Sequence, residues 1–583
     1  MLVSTAESYR AMLGELEKRP YMVCDLETTG LDPWNGDRLI GVSIHLPDEG
    51  GGDARTYYVP FRHETGGNLP IEELHRLRPL LMDPDRVFVG FNAKFDRHFL
   101  ARELGEPIRN QTVDVMLAAH LANENEPTFA LKALGAKYVD PEAGQAEAKL
   151  MELLKSQGLG KQDMHQLPPK WVAPYAEQDS ILTWQLGQNR QAELEAQGLL
   201  GLWDEVNIYS DATEAMERHG ALVDPAKCAE SLIMAKDKQA EIHQQMVGMV
   251  GHDFNPASVP QLRKILGQQA TDREALAECK HPIAKLLLEH RAWSRAAGTY
   301  YQGFMDRLDG NNRLHPNLKL TGTISGRLSC NKPNLQALPR GDDVYKVRDL
   351  VIAPPGHVLM AWDWSQAELR LLAHYTLDPF LLDAYRNDKD IHQETSDLLR
   401  IPRYQAKRVN FGIVYGIGPG SLAKQIDSTY GEAKAILNRY HKMIPGVRRL
   451  SRLAEDTARK TGRVPMWTGR LRHIEDEEEM HKAMSNLIQG GVAEMMRVAV
   501  TRLHQTLEGT GVHMILQVHD EILFELPEDE WAKWSPVIRD TMQDFGFAVP
   551  ILADGKVGRS WGAMHRISFD NEDKPVLPKG AVL

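Results

Sequence analysis

Apolar residues follow two rhythms along this chain. In the first hundred residues they alternate in short runs, and Y-M-V-C-D-L-E-T-T-G (21–30) reads as a strand closed by a turn. Period-two alternation puts Asp25 and Glu27 on the same face of that strand. Further strands are predicted at Leu39–His45, Thr56–Pro60 and Arg86–Gly90, with helical stretches between Glu72 and Leu81 and from Ala93. This is an α/β pattern. From about Gln191 the period becomes helical, so a domain boundary is predicted near 190–210. E-A-M-E-R-H-G-A-L-V-D predicts a helix ended by Gly220 and followed by a strand. F-N-P-A-S-V-P-Q-L-R-K-I-L and H-P-I-A-K-L-L-L-E-H-R-A-W-S-R-A-A-G-T-Y-Y predict two helices with basic outer faces, suited to tracking a duplex backbone.

Two apolar runs further along end on acids. Asp363 follows V-L-M-A-W and opens D-W-S-Q-A-E-L-R; Asp520 sits in Q-V-H-D-E between V-H-M-I-L and I-L-F-E-L, the pattern of a hairpin with an acidic tip. Between them, P-R-Y-Q-A-K-R-V-N-F-G-I-V-Y-G spaces Arg403, Lys407, Phe411 and Tyr415 at i, i+4, i+8 and i+12, along one side of a helix. Carboxylates that hold divalent metal, cations that hold phosphate and rings that stack on a base together fit nucleotidyl transfer.

Composition sets limits on this picture. At 583 residues the chain is too long for one core, and about 100–200 residues per domain predicts three or four. No apolar stretch approaches the ~18–20 residues that span a bilayer, and M-L-V-S-T-A-E-S-Y-R lacks a signal-peptide pattern, so a cytoplasmic location is expected. Cys24, Cys228, Cys279 and Cys330 are scattered and never form C-x-x-C, which excludes a zinc knuckle or disulfide framework. The net charge of −12 argues against nonspecific coating of nucleic acid. Charge distribution matters more than the total, because Arg400–Asn410 carries four cations and no acid.

Four carboxylates and a phenol converge as candidates in the N-terminal third: Asp25 and Glu27, then Asp96 in F-N-A-K-F-D, four residues after Asn92 and on one helical face with it, then Tyr175 and Asp179 with the same spacing in Y-A-E-Q-D. An apolar strand ending in D-x-E is unusual without metal to neutralise it. In order and spacing these residues resemble the three exonuclease motifs of proofreading polymerases. The resemblance implies a ribonuclease-H-like domain with two divalent ions held by Asp25, Glu27, Asp96 and Asp179, Tyr175 orienting the attacking water.

T-I-S-G-R-L-S-C-N-K-P-N-L-Q-A-L-P, D-W-S-Q-A-E-L-R, the Arg403–Tyr415 helix and Q-V-H-D-E are similar, in this order, to family A DNA polymerases. The likeness implies an α/β multidomain chain: a 3′–5′ exonuclease domain over 1–195 and a right-hand polymerase domain over 196–583. Within the latter it implies a thumb at about 225–310, a palm at about 311–375 and 465–583, and fingers at about 376–464. Asp363 and Asp520 would hold two magnesium ions, with the carbonyl of Trp364 as a further ligand and Glu521 nearby; manganese is a substitute. Gln366, Glu368, His392, Arg403, Lys407, Phe411 and Tyr415 would bind the incoming nucleotide, Lys407 also serving as acid for pyrophosphate. Arg327, Asn334, Gln336, Arg470, Gln489 and His519 would touch DNA. The implied partners are primed template, deoxynucleoside triphosphates and replisome proteins (helicase, primase, single-strand binding protein), with the chain a monomer.

The chain departs from the family pattern in several places. D-Y-S-Q has become D-W-S-Q at Trp364, a tolerable change if the ring packs rather than donates. Ser485 stands where the family often has Asn, four residues before Gln489. The thumb and fingers are abridged, and no 5′ nuclease precedes the exonuclease-like part. That compact form most resembles a bacteriophage replicase. A single-subunit RNA polymerase is the nearest rival, opposed by Glu368 and the exonuclease set. A scaffold with dead centres would not be expected to keep all six metal-binding acids.

Overall fold

The computed structural model describes residues 1–48, 54–339 and 344–583. The N-terminal part is built on a five-stranded sheet whose central strand, Tyr21–Thr28, carries the D-x-E motif. Leu39–Leu46 pairs with it antiparallel and is in turn edged by Arg55–Pro60; on the other side Val87–Gly90 and Gln111–Asp114 run parallel. Leu39–Leu46 is buried along its whole length because the helix Pro169–Gln197 lies across the sheet. This is a mixed α/β domain.

Three local details differ from the sequence reading. Gln111–Asp114 is a strand that Q-T-V-D, short and half polar, does not announce. The helical stretch at 72–81 is a 3₁₀ segment, Ile71–Leu77, followed by one α turn, Arg78–Leu81. Asn92 does not share a helical face with Asp96: it lies before the helix Ala93–Leu104 with φ 59°. The buried Asp114 carboxylate holds that turn by accepting from the Asn92 and Ala93 amides at 3.0 and 2.9 Å.

At 190–210 the chain makes a tight turn rather than a linker. The helix Pro169–Gln197 ends at Gly198, φ 72°, and the next helix, Leu200–His219, begins two residues later. This second helix packs on both halves of the molecule, and its polar residues make the joint. Glu217 accepts from Lys94 and His98, each at 2.7 Å, and Glu214 accepts from Arg97 at 2.7 Å. Trp203 donates to the Asp114 carbonyl at 3.1 Å, and on the other side Tyr209 donates to Gln517 at 2.7 Å.

The C-terminal part is organised by a five-stranded antiparallel sheet with His357–Trp364 at its centre, flanked by Glu521–Pro527 and Ala553–Ser560. Val358 to Trp362 are all buried, as expected of a central strand covered on both faces. Trp362 demands its neighbour: a β-carbon at Gly555 would lie 2.6 Å from the indole. The helix Trp531–Gln543 packs on the sheet, and Ala483–Leu507 packs on that helix. The predicted helices appear as Val259–Leu266 and Ile283–Arg295, the second packed against a 26-residue helix, Pro225–Val250.

The joint is electrostatically sensitive. Burial would raise the Glu214 carboxyl, but Arg97, His98 and Arg218 overcome it and hold it at about 2, below its ordinary 4.5. A depressed carboxylate contributes stability above its unfolded pKa, so this contribution is complete above about pH 4.5 and is lost as pH falls toward 2. Glu214→Gln is expected to cost about 3 kcal/mol at neutral pH, since it leaves Arg97 buried without its charge partner. Denaturant unfolding of both proteins should show that deficit at pH 7 and its disappearance near pH 2–3; a pH-independent difference would count against the ion pair as the cause.

Two candidate active sites

The first site lies at the end of the strand Tyr21–Thr28. Asp25, Glu27 and Asp179 present carboxylate oxygens that all lie within 4.8 Å of one another. The helix Pro169–Gln197 delivers Asp179 and, one turn earlier, Tyr175. Asp96 comes from the first turn of Ala93–Leu104 and accepts from the Leu26 amide at 3.0 Å, which fixes it beside the strand but outside the trio. Burial and crowding make these acids reluctant to ionise. Burial lifts Asp25 to about 6 against the pull of Lys132 and Lys161. Glu27 and Asp96 are pushed well above the usual range by burial and then by Asp25.

Two lysines offset this charge. Lys132, in the first turn of Leu131–Tyr138, makes an ion pair with Asp179, and Lys161 pairs with Glu147 at the rim. Their ammonium groups stand 5.0 and 5.1 Å from the centre of the Tyr175 ring. Glu27 keeps a buried carboxylate oxygen, Oε1, that no group among the described residues satisfies. A hard-oxygen trio with an orphaned oxygen fits a divalent cation.

The second site is a cavity of about 490 Å³ lined by Asp363, Asp520, Glu521, His519, Gln336, Arg348, Lys556 and Trp561. Asp363 comes from the central strand, and Asp520 from the tip of the hairpin His513–Val518 and Glu521–Pro527. His519 takes φ 57° at that tip. Burial, with Glu521, Asp520 and Asp554 adding like charge and Lys556 opposing, raises Asp363 to about 6. Glu521 lines the same cavity with its carboxylate engaged: Trp561 donates to it at 3.1 Å and Arg348 pairs with it at 3.5 Å. The indole of Trp364 both packs and donates, its Nε1 reaching the Met542 carbonyl at 2.6 Å and its ring meeting Phe545 edge-on.

The basic helix forms as Arg403–Val414, with Tyr415 just past its last turn. Arg403 is paired with Asp390 at 2.6 Å, and Lys407 is exposed. Asp390 also caps the helix that carries His392. His392 is buried rather than extended toward solvent: its Nδ1 meets the Asn410 amide at 3.0 Å and its ring packs on Phe411. Burial, aided by Arg403 and Lys407, lowers its pKa. Glu368 lies 3.4 Å from Arg327, and after burial it is the main influence that raises the pKa of the Tyr415 phenol, so three of the expected nucleotide and DNA contacts form one cluster. Gln366, left-handed at φ 59°, receives the Tyr385 hydroxyl at 3.1 Å.

The expected DNA contacts divide. Gln336 and His519 line the cavity, and Gln489 donates to Ser485 at 3.1 Å. Asn334 caps the short turn that ends at Ala337. Arg470 must be corrected: it is buried, bound to Glu494 at 3.1 Å and to His120 of the N-terminal part at 3.1 Å, so it is spent on the joint.

The known proteins that this chain resembles agree with this division. A family model described as DNA polymerase family A matches residues 226–563, and one described as 3′-5′ exonuclease matches residues 1–195. The chain belongs to the DNA polymerase family A. DNA polymerase I of Pseudomonas aeruginosa is 30% identical over 96% of this chain and 65% of its own length; that of Chloroflexus aurantiacus is 28% identical over 97% and 64%. The chain thus spans just under two thirds of these relatives. The solved POL domain of Pol1 from M. smegmatis, in complex with DNA primer-template and dNTP, superposes with a TM-score of 0.81 at 24% identity, covering 96% of this chain and 99% of that one. These relatives are bacterial, and a bacteriophage source gains no support from them.

Sequence reasoning missed Lys132 and Lys161 in the first site and Arg348, Lys556 and Trp561 in the second site of this family A member. Lys556 lies on A-D-G-K-V-G-R-S, a strand whose two glycines and exposed charges hide its alternation. Trp364 gives the test of this site. Trp364→Phe keeps the ring but strands the Met542 carbonyl, and is expected to cost about 1–3 kcal/mol of stability, the penalty of an unmade buried hydrogen bond. Thermal unfolding should show the loss; an unchanged midpoint would mean that the indole only packs.

Proposed function

We propose that this chain is a template-directed DNA polymerase that extends a primer 3′ end and proofreads with a 3′–5′ exonuclease. The observation that carries the reading is the separation of two acidic centres on two sheets, Asp25/Glu27/Asp179 and Asp363/Asp520, each at the end of a buried central strand. The Pol1 domain from M. smegmatis, solved with primer-template and dNTP, supports the same substrates here.

In the palm, Asp363, Asp520 and the Trp364 carbonyl would hold two magnesium ions, and in the exonuclease Asp25, Glu27, Asp96 and Asp179 would hold two divalent ions, manganese substituting. Bound there, such ions lower the pKa of the attacking hydroxyl or water and offset phosphate charge. The chain's own groups do the positioning. Arg403 and Lys407 bind the triphosphate, Arg403 exchanging Asp390 for phosphate, and Lys407 supplies a proton to pyrophosphate. His392 holds Phe411 in place through ring contact, so that Phe411 and Tyr415 enclose the incoming sugar and base. Arg327 and Gln489 sense acceptors common to all correct pairs in the minor groove, and Asn334, Gln336 and His519 border the primer. Tyr175 orients the hydrolytic water.

The domain limits fit this division: exonuclease over 1–195, then thumb at about 225–310, palm at about 311–375 and 465–583, and fingers at about 376–464. Magnesium as the working ion, monomeric action in the cytoplasm and cooperation with replisome proteins complete the proposal. No helix among the described residues is long and apolar enough to cross a membrane.

Extension of a primed template with deoxynucleotides or ribonucleotides, with and without magnesium, tests the whole reading. Deoxynucleotide-specific, magnesium-dependent extension is expected, and no extension with either substrate overturns it. Asp25→Ala with Glu27→Ala should abolish degradation of a labelled single strand and spare extension, while Asp363→Ala should do the reverse, each by roughly a thousandfold or more. Degradation by the double variant at the wild-type rate would sink the exonuclease assignment.

Glu368 should set sugar choice. Close to Arg327 and to the Tyr415 phenol, its carboxylate would meet the 2′-hydroxyl of an incoming ribonucleotide. Glu368→Ala is expected to improve relative ribonucleotide use by about 1–3 kcal/mol, a factor of roughly 5 to 150 in competing kcat/KM. Unchanged discrimination would remove it from this role.

A further inference from the structure

The exonuclease centre contains a cation of its own. Lys132 reaches Asp179 from the first turn of Leu131–Tyr138, and Asp179 is one of the three acids whose oxygens lie within 4.8 Å of each other. Its ammonium therefore stands at the edge of the position where a divalent ion would bind. Among the described residues it forms no proper hydrogen bond with any other acceptor, so Asp179 and the field of the cluster are what hold it. An ammonium and a divalent cation cannot share Asp179 at ligand distance, because like charges within a few ångströms in a poorly solvated site repel strongly. Binding of metal must displace Lys132.

The displaced side chain has a short path. Its four-carbon stem starts on a helix that does not need to move, and its ammonium is 5.0 Å from the ring centre of Tyr175. Lys161 stands 5.1 Å from the same ring, paired with Glu147 at the rim rather than with a member of the trio. The anion that arrives with metal is the terminal phosphodiester of the strand.

We propose that Lys132 is a two-position catalytic residue of the exonuclease: it fills the metal position as an internal counter-ion, then, expelled by metal, binds a non-bridging oxygen of the scissile phosphate. In that reaction water adds its oxygen to phosphorus, and the bond from phosphorus to the 3′-oxygen of the penultimate nucleotide breaks with its electron pair on that oxygen. One water proton ends on that 3′-oxygen and the other is released to solvent. The products are a nucleoside 5′-monophosphate and a strand with a new 3′-hydroxyl. The phosphoryl group gains negative charge as water adds, and the ammonium offsets it. This inference rests on the exonuclease reading above.

The test uses Lys132→Met in the full chain, on an Asp363→Ala/Asp520→Ala background that removes ion binding in the palm. Titration with Mn²⁺ alone, followed by electron paramagnetic resonance of the free ion, should show binding about tenfold tighter in Lys132→Met, since the competing ammonium is gone. Single-turnover degradation of a single-stranded oligonucleotide at saturating Mn²⁺ should nevertheless be roughly a hundredfold slower. Lys132→Arg, which keeps the charge, should keep the weaker affinity, and a circular dichroism spectrum like that of the parent reports an intact fold. Tighter Mn²⁺ binding together with slower cleavage supports the proposal. Unchanged or weaker binding, or an unchanged saturated rate, overturns it. If the parent's Mn²⁺ site does not depend on Asp25 and Glu27, the exonuclease reading itself fails; if it does and Lys132→Met behaves like the parent, only the role of Lys132 falls.

Discussion

Mutual repulsion among carboxylates gathered at strand ends is the constraint around which both halves of this chain are built. Burial raises Glu27 and Asp96 in one sheet and Asp363 in the other, and neighbouring carboxylates raise each of them further: Asp25 in the first case, Glu521, Asp520 and Asp554 in the second. Such clusters are costly unless cations balance them. The chain supplies part of the balance itself, through Lys132 and Lys161 in one case and Lys556 and Arg348 in the other. What remains unbalanced is an affinity for further positive charge, and that affinity is what a phosphoryl-transfer centre uses.

Rigid delivery of these acids follows from the sheets. Asp25 and Asp363 each stand on a central strand paired on both sides, so their backbones are fixed by ladder hydrogen bonds. The partners that come from helices or turns are tied down one by one: Asp96 by the Leu26 amide, and the Asp520 tip by the hairpin register. Between the two sheets the helix Leu200–His219 acts as a common wall. Its acids Glu214 and Glu217 hold Lys94, Arg97 and His98, while Arg470 and Arg472 reach back from the C-terminal part to His120 and Glu124. Buried ion pairs of this kind favour one arrangement of the two halves, because any other leaves charges without partners.

The helix Arg403–Val414 follows the same logic at the surface. Arg403 is held by Asp390, which also caps the helix bearing His392, so one carboxylate fixes a surface cation and the start of a neighbouring helix.

Much of this was legible in the residues alone, for a definite reason. Period-two and period-four patterns report which face a side chain occupies, so the D-x-E strand, the acidic hairpin tip and the Arg403–Tyr415 row could be read directly, and their order along the chain pointed to the family. Local pattern cannot report who sits opposite in space. Arg470 looked like a DNA contact because it is a cation in the right motif, and only its pairing with Glu494 and His120 shows that it is spent. Asn92 looked helical because its spacing is four, and only its left-handed backbone shows otherwise. Lys132 and Lys556 gave no signal, since each lies far in sequence from the acids it neutralises. Sequence determined which chemistry was available; long-range packing decided which charges met, because electrostatic partnership depends on distance in space and burial, neither of which is periodic along the chain.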